Sequence, residues 1–139
     1  MAGPRVFLDS DILVYTDDIA SPVKQSVAVQ VVELHLRERS RVISVQVLQE
    51  YYAVSRAKLK VDHGTAREKI GLLSALTIFQ PSIHDVLGAL DLHHLHQVSF
   101  WDGMILRAAL KSGCRTLLSE DMHHGRRIDG IEIVNPFLR

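Results

Sequence analysis

The chain reads as an α/β protein, a three-layer α/β/α sandwich with a central parallel sheet. Two observations carry that reading. Short apolar runs of three or four residues alternate along the chain with longer stretches at helical spacing, the pattern of strands joined through helices. No repeat, low-complexity segment or linker interrupts the alternation, so the 139 residues form a single predicted domain, 1–139. Right-handed crossovers between parallel strands then cover both faces of the sheet with helices.

Val6-Phe7-Leu8 is the first strand, ending at Asp9, and Ile12 to Tyr15 make a short helical turn. Pro22 suits the first turn of a second helix, in which Val23, Val27, Val31 and Leu34 recur at helical spacing. Arg41-Val42-Ile43-Ser44 is the next strand, followed by a helix from Val45 to Lys58. Gly64-Thr65 opens another helix towards Ala75, with Thr65 as cap and Glu68 three residues on. Thr77-Ile78-Phe79-Gln80 is a third strand, stopped by Pro81. Ser82 caps a helix to Leu95, and Ser99 caps one ending near Gly113, where glycine suits a helix C-terminus. Thr116-Leu117-Leu118 and Ile131-Glu132-Ile133-Val134 are the last strands.

Composition narrows the function. Lysine plus arginine and aspartate plus glutamate are equal at 16 each, so any polyanion must be bound by local patches or through a cation. The start has no apolar stretch behind a basic region, and no run approaches the ~20 residues of a membrane span. A cytoplasmic location with no membrane partner is expected. The single Cys114 excludes an internal disulfide. Its setting, Ser112-Gly113-Cys114-Arg115, suits a partly buried small residue better than a nucleophile.

Asp9, Glu50, Asp102 and Asp121 stand where charge is awkward. Asp9 directly follows the first strand and Asp121 follows the fourth by three residues. Carboxyl ends of parallel strands are where ligands collect, although a turn or capping aspartate explains either residue alone. Glu50 precedes Ala53, Val54 and Ala57 at i+3, i+4 and i+7, while Val45, Leu48, Tyr52 and Leu59 occupy the other face. A carboxylate there must be paired, protonated or metal-bound. Asp102 precedes Ile105, Leu106 and Ala109 at the same offsets, and Ser99-x-x-Asp102 also fits a capping box. Clustered carboxylates coexist at neutral pH only with protonation or a cation. All-oxygen ligands favour Mg2+, with Mn2+ as substitute, over zinc.

The segments Asp9-Ser10-Asp11-Ile12-Leu13-Val14-Tyr15, Gln49-Glu50-Tyr51-Tyr52, Phe100-Trp101-Asp102-Gly103 and Leu118-Ser119-Glu120-Asp121-Met122, in this order, resemble those of PIN-domain nucleases. Within these they are similar to the VapC toxins of toxin–antitoxin pairs. The resemblance spans nearly the whole chain. It implies strand order 3-2-1-4-5 and a magnesium-dependent endoribonuclease hydrolysing RNA with a metal-activated water. Asp9, Glu50, Asp102 and Asp121 match the acidic positions and are all expected around the metal, Asp9 and Asp102 as main ligands, with Glu50 and Asp121 completing the pocket and holding a second ion or orienting the nucleophile. Ser119 matches a hydroxyl residue beside the last acid, and Ser10 a polar residue beside the first that also suits a helix cap. The resemblance further implies a homodimer and a cognate antitoxin protein that inserts a segment near the site.

Asp11 departs from the uncharged residue that similar proteins carry. It reads as an added ligand, a source of negative potential or, most simply, a solvated helix-start acid. Glu120 is second to the pocket or exposed. Arg56, Lys58, Lys60, Arg126 and Arg127 are candidates for RNA backbone contacts. His93, His94, His96, His123 and His124 lack a third metal ligand at clear spacing and read as solvated or helix-end residues. Trp101 and Tyr51 read as packing residues. Two alternatives remain. Asp9-x-Asp11 after a strand resembles the nucleophile motif of haloacid-dehalogenase-like phosphatases, and a PIN-like fold can also serve as a non-catalytic RNA-binding or interaction module.

Overall fold

A computed structural model describes residues 4–138, apart from the side chains of His35 and Leu36. Met1 to Gly3 and Arg139, part of the predicted domain, lie outside it. In chain order the elements are β1 (Val6–Leu8), α1 (Ser10–Tyr15), α2 (Pro22–Glu38), β2 (Arg41–Ser44), α3 (Val45–Ala57) and α4 (His63–Leu73). Then come β3 (Thr77–Phe79), α5 (Ile83–His96), α6 (Phe100–Lys111), β4 (Thr116–Leu118), β5 (Arg127–Ile128) and β6 (Ile131–Val134).

The strands form one sheet in the order β3-β2-β1-β4-β6-β5. The five strands read from the sequence pair in parallel in the expected order, with β6 as the fifth. Strand β5 is an addition. It pairs antiparallel with β6 across Asp129-Gly130, whose φ angles of 48° and 88° are both left-handed. Asp-Gly is a favoured pair for such a two-residue hairpin, so the signal for this edge strand stood in the sequence.

Phe7, Leu8, Ile43, Leu117 and Ile131 are fully buried, as central parallel strands covered on both faces require. Helices α1 to α4 pack on one another and α5 packs on α6, two groups flanking the sheet. The α5–α6 contact is close: a Cβ on Gly103 would lie 2.6 Å from the Ala89 carbonyl oxygen. Arg107 on α6 adds an ion pair at 3.0 Å to Asp85, which itself closes a capping box with Ser82.

Several local expectations change. The inward side of α2 carries Ala28 and Val32, whereas Val23 and Leu34 are 65% and 43% exposed. Three valines and a leucine at helical spacing marked a face of which Val31 packs against the core while Val23 and Leu34 do not. Helix α4 is capped by Asp62, which accepts from the Thr65 N–H at 3.1 Å; an aspartate one residue before the helix outcompetes the threonine inside it. Helix α1 is capped by Asp9, so Ser10 is its first residue and not its cap. Gly113 behaves as expected. Its φ is 73°, and Cys114 N–H to Ala109 and Gly113 N–H to Leu110 complete a Schellman motif. Cys114 is buried, which pushes its thiol up to about 11 and leaves it inert at neutral pH.

Because β1, β2 and β4 run parallel and nearly level, the sheet has two distinct rims. Arg5, Arg41 and Arg115 stand at the amino ends, where the Arg5 guanidinium donates to the Ser112 carbonyl at 3.0 Å. None of the three pairs with a carboxylate among the described residues. The carboxyl ends carry acids. Among the described residues no helix is long and apolar enough to cross a membrane.

Candidate active site

Strands β1 and β4 end side by side, with Leu8 opposite Leu118, and the chain turns towards the same rim after each. Asp9 is the next residue after β1, and its N–H donates to Leu118 at 3.0 Å. One carboxylate oxygen of Asp9 accepts from Ser10 N–H at 2.7 Å and the other from the Ser119 hydroxyl at 2.8 Å. The side chain is 8% exposed. Burial pushes its pKa up to about 6, with Asp102 and Asp121 adding to the rise and the two hydrogen bonds opposing it. Ser119 is fully buried and also accepts from Met122 N–H at 3.2 Å. One hydroxyl thus fixes both the first acid and the turn that carries the last.

Asp11 is not the solvated acid of the simplest sequence reading. Its Oδ2 accepts from the backbone N–H groups of Glu120 and Asp121 at 2.9 and 3.0 Å. Its Oδ1 is buried without a hydrogen-bond partner among the described residues. Burial, then the charge of Asp9, pushes its pKa up to about 8. Glu120 turns the other way. It accepts from the Tyr15 hydroxyl and pairs with Lys24, both at 2.5 Å. Burial works against its ionised form, but these two partners outweigh it and lower its pKa.

The other two acids come from helices. Glu50 sits on the half-buried flank of α3, whose buried stripe is Val47, Tyr51 and Ser55; Ala53 and Ala57 of the expected apolar face are exposed. Its pKa is raised by burial, then by Asp9 and Asp102. Asp102 lies in the first turn of α6, where its N–H donates to the Ser99 hydroxyl at 3.0 Å. No return bond from its carboxylate to the Ser99 N–H completes a capping box among the described residues. Burial raises its pKa and the charge of Asp121 adds to the rise. Gln46 links the two helices beside these acids, donating to the Trp101 carbonyl at 3.3 Å and reaching Glu50 at 3.5 Å.

The rim therefore gathers Asp9, Glu50, Asp102 and Asp121, and no Lys or Arg pairs with any of them among the described residues. Paired burial, the first of the three options for Glu50, is not what the chain uses. All donors are hard oxygens, which suits a divalent cation of the magnesium type. Among the described residues, however, no three His, Cys, Asp or Glu side chains form a ready-made ligand group.

A groove of about 240 Å³ opens beside the acids, lined by Asp11, Val14, Tyr15, Val54, Leu59 and Asp121 among others. That is below the usual range for small-molecule sites and suits one or two inserted side chains. Of the basic candidates, only Lys58 lines this groove. Arg56 donates to Val61, Arg126 to His96, and Arg127 pairs with Glu132. His93 and His124 meet the backbone of Val98 and Asn135. Tyr51 is packed, as expected, and its hydroxyl reaches Asp17, which pairs with Lys69 at 2.8 Å. Trp101, expected to pack, is 63% exposed. Lys24, Tyr15, Asp17 and Lys69 were missed, since nothing in the sequence relates residues 96 and 52 positions apart.

No protein-family model and no curated protein matches the sequence. Solved structures do match its fold. A toxin–antitoxin complex from Klebsiella pneumoniae aligns with a TM-score of 0.70 at 17% identity, covering 94% of this chain and 97% of the other. Mycobacterium tuberculosis VapC20, described as a sarcin-ricin loop cleaving toxin, aligns at 0.66 and 15% identity over 81% and 86%. Rickettsia felis VapBC2, bound to a DNA fragment from its promoter, aligns at 0.64 and 24% identity over 92% and 96%. The chain has the PIN-domain fold of these structures.

Proposed function

We propose that the chain is a magnesium-dependent endoribonuclease, the toxin of a VapBC-type toxin–antitoxin pair. One observation supports the reading: four carboxylates share the carboxyl rim of the sheet, and among the described residues no Lys or Arg pairs with any of them. Burial makes ionisation of Asp9 and Asp102 costly, and a bound cation removes that cost. Asp9 and Asp102 would hold Mg2+, or Mn2+ in its place. With no ready-made ligand group, water supplies part of the coordination. Bound there, the ion supplies a water activated for attack and charge stabilisation at the phosphate.

The chain's own groups have separable tasks. Ser119 and the Ser10 N–H aim both oxygens of Asp9. Glu50, whose raised pKa makes it a better proton acceptor, orients the attacking water from α3. Asp121 completes the pocket from the turn that Asp11 and Ser119 hold. Lys58 is the cation positioned to meet a phosphate beside the acids. The groove next to Asp121 takes an inserted segment of the antitoxin, which blocks the rim. A homodimer completes the assembly.

The phosphatase alternative loses ground, because one oxygen of Asp11 is committed to the backbone N–H groups of Glu120 and Asp121. The non-catalytic module stays distinct by its test. A mixed RNA pool is incubated with the wild-type chain in magnesium, in chelator, and with Asp9→Asn and Asp102→Asn variants. Cleavage by the wild type with magnesium alone supports the nuclease. Undiminished cleavage in chelator or by either variant sinks the mechanism, and no cleavage with no calorimetric magnesium binding favours the module. Growth arrest on expression, relieved by the product of an adjacent gene, tests the toxin reading separately.

A further inference from the structure

We propose that Trp101 is a stacking platform for an unpaired nucleobase of RNA lying across the acidic rim, an inference that rests on the nuclease reading. The chain has one tryptophan, and it is 63% exposed. An indole is the side chain with most to gain from burial, and this one is exposed next to an acid of the candidate site. It is also held in place. Trp101 lies in the first turn of α6, its carbonyl accepts from Gln46 at 3.3 Å, and the Phe100 ring meets it edge-on at 5.0 Å and 70°. The same Gln46 side chain reaches Glu50 at 3.5 Å, and Asp102 is the next residue. An exposed aromatic residue thus adjoins Asp102, on a helix end that Gln46 ties to the helix of Glu50.

Charge points to a nucleobase as the occupant. The rim is acidic, and a metal offsets that only locally. Arg56, Arg126 and Arg127 are engaged by Val61, His96 and Glu132, leaving Lys58 as the one cation among the described residues that lines the neighbouring groove. A site so poor in phosphate contacts needs attraction of another kind. Every base offers a π face, and stacking on an aromatic side chain is strong and tolerant of sequence. A phosphodiester at Asp102 has a base within one nucleotide's reach of residue 101. Stacking requires that base to be unpaired, so the substrate class is single-stranded RNA or an exposed loop.

Because the indole is unique, its fluorescence reports its own surroundings. An unstructured RNA oligonucleotide is titrated into the full chain, with calcium replacing magnesium to hold cleavage back. Saturable quenching is expected with the single strand and little with the same strand in a blunt duplex. In magnesium, Trp101→Ala raises KM about tenfold with kcat within about twofold, whereas Trp101→Tyr keeps most of the affinity. Unquenched fluorescence at saturation, or an unchanged KM for Trp101→Ala in a protein that cleaves RNA, overturns the stacking role and leaves the nuclease intact. If Trp101→Ala instead converts a dimer to monomer by sedimentation, the indole is a subunit contact and the proposal falls. Absence of both binding and cleavage by the wild type removes the nuclease reading and this inference together.

Discussion

Asp11 and Asp121 are joined by a backbone hydrogen bond of 3.0 Å, and the same oxygen of Asp11 also takes the Glu120 N–H at 2.9 Å. The first helix thereby holds the turn that presents the last acid. An amide oxygen accepts the same two bonds, so Asp11→Asn should keep the turn and retain cleavage. Asp11→Ala strands two donors and should cost about 1–2 kcal/mol, because the outer one is open to water. Its cleavage rate should fall further than its stability does. Urea denaturation and initial rates on one RNA check both, and equal rates for the two variants would show that the turn holds itself.

Asp9 sets function against stability. Its charge is buried and raised by its acidic neighbours, so Asp9→Asn should raise the Tm of the metal-free protein at pH 8. Under the proposed function, magnesium should raise the Tm of the wild type, and the same change should remove that increase and abolish cleavage. Thermal unfolding with and without magnesium measures both; a lower metal-free Tm for the variant would contradict the argument.

The pH dependence has a definite sign. Folded Asp9 titrates at about 6 and folded Asp11 at about 8, against about 4 for an unfolded aspartate. Both hold their protons more tightly when folded. Their stabilising contribution is full below about pH 4 and is lost as pH rises through 6 and then 8. In chelator, the advantage in Tm of Asp11→Asn over wild type should therefore widen from pH 5 to pH 8.5. Magnesium should narrow it. A gap that shrinks with pH in chelator would contradict the assigned burial.

Gly103 follows Asp102 and lets α6 approach α5. An added Cβ would sit 2.6 Å from the Ala89 carbonyl oxygen, a backbone atom that cannot swing aside. Gly103→Ala should destabilise the fold by about 1–3 kcal/mol and shift Asp102 with the start of α6. Chemical denaturation measures the first effect and magnesium affinity the second. An unchanged midpoint would mean the helices separate at little cost.

The sheet was legible because its strands are short uninterrupted apolar runs bounded by turns, and order followed from the motif resemblance. The Asp129-Gly130 hairpin was equally legible and simply passed over. The face of α2 was not, since Val23 and Val27 satisfy the same spacing as Ala28 and Val32, and only packing chooses between them. At the site, position relative to strand ends singled out Asp9 and Asp121 and the apolar stripe of its helix singled out Asp102, whereas Glu50 was picked by a face whose Ala53 and Ala57 are exposed. The struts around them were beyond reach. Lys24 to Glu120 and Lys69 to Asp17 depend on how distant helices cross, and Asp11 turns inward because two N–H groups await it across the sheet. Trp101 was misread for a related reason: an aromatic next to an apolar stripe suggests packing until the neighbouring surface proves too far round the helix.

The arginines at the amino ends of β1, β2 and β4, which pair with no carboxylate among the described residues, give the acidic rim an opposite. With 16 charges of each sign, the molecule is neutral in sum, yet the two rims of the sheet differ, with three arginines at one and the four acids at the other. A polyanion diffusing towards the metal-free chain is steered to the arginine end, away from the acids. Under the proposed nuclease reading, filling the acidic rim with divalent cations should weaken that bias and change which end of the protein a polyanion meets first. Retention on an anion-exchange column should accordingly drop when magnesium is added, without any change in the titration of the surface lysines.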